Sequence, residues 1–170
     1  MAILKHGNTN NFDETDQSDN LLTRTEYDGD RIVDSRVFNP SRLTTDHSFT
    51  GDIRLHTVDS NAIGFGGVMY MAADGNLDLA DSDGTGTYPA IGLAMESGTG
   101  AKKILVKGYV RDGTWSWTTG SPLYLSDTVG TMCHLSSIGT TTGDQVQLLG
   151  MATTASIAWI DPVIVLGEMA

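Results

Sequence analysis

The sequence predicts an all-β protein: a small β-sandwich or β-barrel domain with two quasi-repeats, preceded by an extended N-terminal arm. Three observations carry this. From Ile53 onward, short apolar runs are punctuated by glycine, serine, threonine and aspartate, the pattern of short strands joined by tight turns. No run of eleven or more residues keeps a helical apolar stripe free of glycine. One block of residues also occurs twice.

The arm comes first, over residues 1–52. Residues 1–60 hold 11 acidic and 6 basic residues but only 17 hydrophobic ones. The apolar residues form small clusters at Ile3-Leu4, Phe12, Leu21-Leu22, Ile32-Val33, Val37-Phe38, Leu43 and Phe49. Neither helical nor strand periodicity persists across them, and 8–20 (NTNNFDETDQSDN) is too polar to recover its ordering entropy alone. Such an arm orders where a neighbouring surface offers pockets for Ile3, Leu4, Phe12, Phe38 and Phe49.

The β-domain follows over 53–170. Its expected strands are 53–58, 68–72, 90–95, 103–110, 114–117, 123–126, 145–152, and Ile157 with 163–166. Between them lie Asp74-Gly75, Asp83-Gly84, Asp112-Gly113, Val129-Gly130 and Thr142-Gly143-Asp144, residues that tolerate positive φ or bond their own backbone in turns. The repeated block runs Gly66-Gly67-Val68-Met69-Tyr70-Met71, Gly75, Ile91-Gly92-Leu93-Ala94. It returns as Gly120-Ser121-Pro122-Leu123-Tyr124-Leu125, Gly130, Leu149-Gly150-Met151-Ala152. Gly92 and Gly150 would weaken isolated strands, so they mark a bulge or a close backbone approach where the two halves pack. Two copies are too few for a solenoid, and one pseudo-symmetric domain is the economical reading.

Composition excludes several function classes. A net charge of −11 repels a phosphate backbone, so general nucleic-acid binding is not expected. The most apolar stretch, 157–166, is broken by Asp161-Pro162 and is far shorter than the roughly 20 residues of a membrane-spanning helix. With no basic-then-apolar leader, the expectation is a soluble protein without a visible address and without a membrane partner. Cys133 is the one cysteine, so no internal disulfide forms.

Candidate chemistry thins out on inspection. The segment 74–84 (DGNLDLADSDG) carries oxygen ligands at alternate positions, but an EF-hand begun at Asp74 would place glycine and glutamate where Leu79 and Thr85 stand. Leu77 and Leu79 instead alternate as on an edge strand with one wet face. His6, His47, His56 and His134 never take the i, i+4 spacing of a helical metal site, and Cys133-His134 lacks a second cysteine pair. Neighbours on a strand point to opposite faces, so His134 would not activate Cys133. Gly64-Phe65-Gly66-Gly67 lacks the Lys-Ser/Thr of a phosphate loop and reads as a hinge between arm and domain. Trp115-Ser116-Trp117 places two indoles on one strand face, with Trp159 on a later strand, for a core, an interface or a sugar. Lys102, Lys103, Lys107 and Arg111 are the only basic residues after Arg54, and they fall on one expected strand and its ends, facing solvent or an acidic partner. No catalytic, cofactor-binding or metal-binding residue is therefore assigned, and no enzyme is expected.

Beyond these readings, the stretches Gly120-Ser121-Pro122-Leu123-Tyr124-Leu125-Ser126, Gly130, Gln147-Leu148-Leu149-Gly150-Met151-Ala152, Pro89-Ala90-Ile91-Gly92-Leu93-Ala94 and Val106-Lys107-Gly108-Tyr109-Val110 carry a resemblance. Over residues 66–167 the chain resembles the head decoration, or capsid cement, proteins of tailed bacteriophages. The resemblance implies a β-rich, non-enzymatic homotrimer on the outer surface of the virion, bound to the major capsid protein. Interface candidates are then Ile3, Leu4, Phe12, Phe38, Phe49, Trp115, Trp117 and Trp159. Related patterns occur in phage tail and fibre proteins, which keeps a receptor-binding module with a glycan-contacting Trp pair as the alternative.

Overall fold

The computed structural model describes residues 11–15, 21–28, 31–35, 40, 43–59, 64–139, 141–164 and 167–169. The chain divides into two compact units, 1–38 and 39–170. In the first, β1 (Asn11–Thr15), β2 (Leu21–Asp28) and β3 (Arg31–Ser35) form an antiparallel sheet with β2 central. Asp28 pairs with Arg31, leaving Gly29 and Asp30 between the two strands. Three segments of the expected arm thus pair main chain to main chain, which satisfies backbone groups without needing an apolar face.

The second unit is nearly all β, with a short 3-10 turn at Leu135–Ser137. Among the described residues, no helix is long and apolar enough to cross a membrane. Its strands are β4 (Phe49–Val58), β5 (Val68–Met71), β6 (Leu77–Leu79), β7 (Ala90–Ala94), β8 (Gly100–Arg111), β9 (Pro122–Leu125), β10 (Met132–Cys133), β11 (Gln145–Val146), β12 (Leu148–Ala152), β13 (Ile157–Ile160) and β14 (Gly167–Glu168). The main sheet runs β10-β9-β12-β13-β8-β4-β6-β5-β7, and β7 pairs back onto β8. The five strands β8, β4, β6, β5 and β7 therefore close into a barrel-like ring. The other four extend from the far half of β8 as a second lobe, and β11 pairs separately with β14.

The β4–β8 ribbon serves both lobes because it bends. Its register shifts between Asp52 and Ile53, next to the directly paired Gly51 and Gly108. These glycines sit at φ +149° and +146°. A Cβ on Gly51 would lie 2.1 Å from the Lys107 carbonyl oxygen, and one on Gly108 would lie 2.2 Å from that of Thr50. Only glycine fits this close crossing.

Each ring strand sends one side chain into a shared buried cluster: Val58, Leu77, Met69, Ala94 and Ile104. A cluster fed by all five strands of a closed ring is its interior. The opposite faces of β5, β7 and β8 carry Val68, Leu93 and Leu105 into a larger cluster with Leu123, Leu125, Leu149 and Ile160 of the second lobe. Burying each leucine-sized side chain contributes about 1.5–3 kcal/mol, so this shared cluster joins the lobes. Gln147 adds a polar tie. It is fully buried, accepts from the Ala90 N–H at 2.7 Å, and donates to the Ala90 carbonyl at 2.8 Å and the Val163 carbonyl at 2.9 Å.

The sequence repeat is a structural repeat. In the first copy Met69 pairs with Gly92 and Tyr70 with Ala90, skipping Ile91; in the second Leu123 pairs with Gly150 and Tyr124 with Leu148, skipping Leu149. Both glycines mark a bulge and a close approach, as expected, but each approaches the next strand of its own copy. A Cβ on Gly92 would meet the Leu105 carbonyl oxygen at 2.6 Å, and one on Gly150 that of Trp159 at 1.9 Å.

Several local expectations change. The division placed at 52/53 falls inside β4, because Phe49 already packs against the larger core cluster. The Gly64–Gly67 turn follows β4 within the second unit, closed by the Gly67 N–H on the Gly64 carbonyl, so it is no hinge between arm and domain. Residues 114–117 form a loop instead of a strand. The 145–152 run splits at Gln147, whose side chain takes the bonds to Ala90. The last expected strand is β13, with 161–164 irregular after Asp161-Pro162. β6 is no edge: it lies between β4 and β5, with Leu77 fully buried.

Candidate functional site

The face of the second lobe turned away from the core carries a row of aromatic and apolar side chains. Direct cross-strand partners share a face, and one row of partners runs Thr50–Tyr109–Trp159–Met151–Pro122 across β4, β8, β13, β12 and β9. The adjoining pair Tyr124–Leu148 lies on the same side, two residues along β9 from Pro122. Tyr109 and Trp159 pack at 4.7 Å between ring centroids. Met151 is 44% exposed and Leu148 38%. At the margin, Lys107 lies 5.7 Å over the Trp159 ring and holds Asp161 at 2.8 Å. Tyr, Trp and Met on a rigid sheet with a charged rim make the composition of an interaction hot spot.

A second feature lies where the two copies meet. The Gly64–Gly67 turn, the 112–117 loop and the 129–132 turn enclose a cleft of ≈ 450 Å³. Phe65, Trp115 and Trp117 wall it and also pack on the larger core cluster. The two indoles lie 5.7 Å apart, inclined at 52°, and Trp117 meets the His134 ring edge-on at 5.1 Å. Gly66 leaves room for Trp115, since a Cβ there would come within 3.1 Å of the indole.

Beside the cleft, Asp46, His47 and Asp112 bring three metal-capable atoms within 4.8 Å of one another. Their groups have other duties. Asp46 accepts the Gly113 N–H, which holds its carboxyl below the usual range. Asp112 takes both the N–H and the hydroxyl of Thr114, at 2.8 and 2.6 Å. His47, at φ +56°, stacks on Phe65 at 4.4 Å.

The sequence-derived interface residues scatter over these features. Ile3, Leu4 and Phe38 lie outside the described residues. Phe12 is on β1, paired with Thr25. Phe49, Trp115 and Trp117 lie against the larger core cluster, and Trp159 is on the outer face of the second lobe. Sequence reading passed over Tyr109, Met151, Pro122, Tyr124 and Leu148. The legible signal was that β8, β9 and β12 carry apolar residues on both alternating faces where a sheet with one wet face alternates. Cys133 is buried, its thiol on the Leu125 carbonyl at 3.7 Å, and burial pushes its pKa up to about 11. That is the opposite of an activated nucleophile. Comparison with protein-family models, curated proteins and solved structures finds no match.

Proposed function

We propose that the chain is a structural protein of a phage particle, a capsid decoration or cement protein. It would bind the outer surface of the head and hold neighbouring major capsid subunits together as a homotrimer. The observation that carries this reading is the Tyr109–Trp159–Met151–Pro122 row with Tyr124 and Leu148, a docking face on the sheet of the second lobe. The resemblance of the repeated blocks to decoration proteins points the same way.

A shell filled with DNA is under outward load, and a protein seated across a junction between subunits slows their separation by adding buried contact. A rigid sheet loses little conformational entropy on docking, so more of its contact energy remains as affinity. In this reading the residues before β4 would add contacts to neighbouring subunits, and linked weak contacts raise the effective concentration of each. A net charge of −11 keeps free copies soluble and away from DNA.

The rival reading, a tail or fibre receptor-binding module, is favoured by the aromatic cleft. Quantitative mass spectrometry of particles separates the two. A copy number comparable with the major capsid protein is expected, and a handful of copies confined to tails would overturn the decoration reading.

A further inference from the structure

We propose that the cleft walled by Phe65, Trp115 and Trp117 is a binding site for a neutral saccharide. Its volume of ≈ 450 Å³ falls in the range of about 300–1,000 Å³ usual for ligand sites. Inclined indoles with exposed ring area suit the C–H faces of a pyranose, which are apolar patches on a polar molecule.

The polar groups at the cleft narrow the ligand further. The Thr114 hydroxyl donates to Asp112, and the Thr131 hydroxyl donates to the Thr128 carbonyl at 2.8 Å. With both protons committed, the two hydroxyls and the Asp112 carboxylate offer the cleft acceptors, while the indoles carry the N–H donors, that of Trp117 buried without a hydrogen-bond partner. No lysine or arginine lines it among the described residues. The matching ligand presents many donors and no negative charge, which describes the hydroxyls of an unsubstituted sugar. A sulfated, phosphorylated or carboxylated glycan would meet Asp112 without a counter-charge. A small quaternary ammonium ion would leave most of the volume unfilled, and it has no donor for the threonine oxygens.

The site does not depend on where in a particle the protein sits, so a failed copy-number test leaves it standing. The test is calorimetric and saturation-transfer NMR titration of the full chain. The probes are neutral di- and trisaccharides of glucose, galactose, mannose and N-acetylglucosamine, with their sulfated forms and choline as comparators. At least one neutral member is expected to bind, and its sulfated form to bind at least about tenfold more weakly. Trp115→Ala is expected to weaken binding about tenfold or more. Because Trp115 also packs on the core, Thr131→Lys, a change at an exposed rim position, is expected to weaken it similarly without lowering the melting temperature. Met151→Asp, on the other face, is expected to leave it unchanged. No binding by any neutral member at about 10 mM, equal binding of sulfated forms or choline, or unchanged binding in Thr131→Lys would overturn the proposal.

Discussion

Replacing Gln147 with leucine, which nearly conserves volume, tests how the two lobes are tied. The glutamine amide makes three hydrogen bonds, to Ala90 N–H and carbonyl and to the Val163 carbonyl, at 2.7–2.9 Å and with no exposed surface. Leucine removes all three and leaves one buried donor and two carbonyls short of partners. Stranding a buried polar group costs about 1–3 kcal/mol. Carbonyls with a second lone pair engaged elsewhere suffer less, and the leucine regains some apolar burial, so a net loss of about 3–5 kcal/mol is expected. For a unit of this size that lowers the melting temperature by about 10–20 °C. Urea unfolding followed by tryptophan fluorescence measures it, with an unchanged slope showing that the unfolded state is not altered. Gln147→Glu adds a pH signature. A buried glutamate facing two carbonyls has its folded pKa raised above the unfolded value of about 4.3. Its stability is therefore fully present below that value and lost as pH rises through the folded pKa. The variant should approach wild type near pH 4 and fall well below it at pH 8. A leucine variant within about 1 kcal/mol of wild type, or a glutamate variant whose deficit ignores pH, would show that Gln147 does not tie the lobes in this way.

Other consequences are as specific. Gly150→Ala forces a Cβ to 1.9 Å from the Trp159 carbonyl oxygen, whereas a Cβ on Gly75 meets nothing within 4 Å; denaturant midpoints should show collapse of the first variant and a loss of only about 1–2 kcal/mol in the second, the cost of a left-handed alanine. Burial first, and then the nearby Asp83 and Asp127, raise the Asp81 pKa to about 6. Its favourable contribution is thus present below about 3.8 and lost as pH rises through about 6. Asp81→Asn should gain stability over wild type at pH 7.5 and not at pH 4, and an equal difference at both would contradict this. Met151→Asp puts a charge in the middle of the outer face, and co-sedimentation with heads should fall at least about tenfold while the melting temperature stays within a few degrees; undiminished co-sedimentation would count against that face.

The strands with period-2 patterns and tight turns were legible because turn chemistry is local: Asp74-Gly75 and Val129-Gly130 reverse the chain wherever they occur, with glycines at φ +86° and +71°. The repeat was legible down to its glycines because a close backbone approach leaves its mark on one residue. What the sequence did not disclose depends on partners far along the chain. Trp115 and Trp117 alternate as a strand would, yet the Trp117 N–H bonds the Ala155 carbonyl and the Asp112 carboxylate organises the residues before it, so the segment runs as a loop. Phe49 reads as an arm anchor because its pairing partner Val110 is 61 positions away. Leu77 reads as an edge residue because nothing local reveals that β4 will lie beside it. The outer face was hidden for a related reason: Tyr109, Met151 and Pro122 become neighbours only through the order of β8, β13, β12 and β9.

That face is the centre of the functional account, and an image reconstruction of decorated heads tests it most directly. The account predicts density for this chain on the outer shell at sites between capsid subunits, oriented with Tyr109, Trp159, Met151 and Pro122 against the shell. Density confined to the tail, or a shell-bound body with that row turned to solvent, would contradict it.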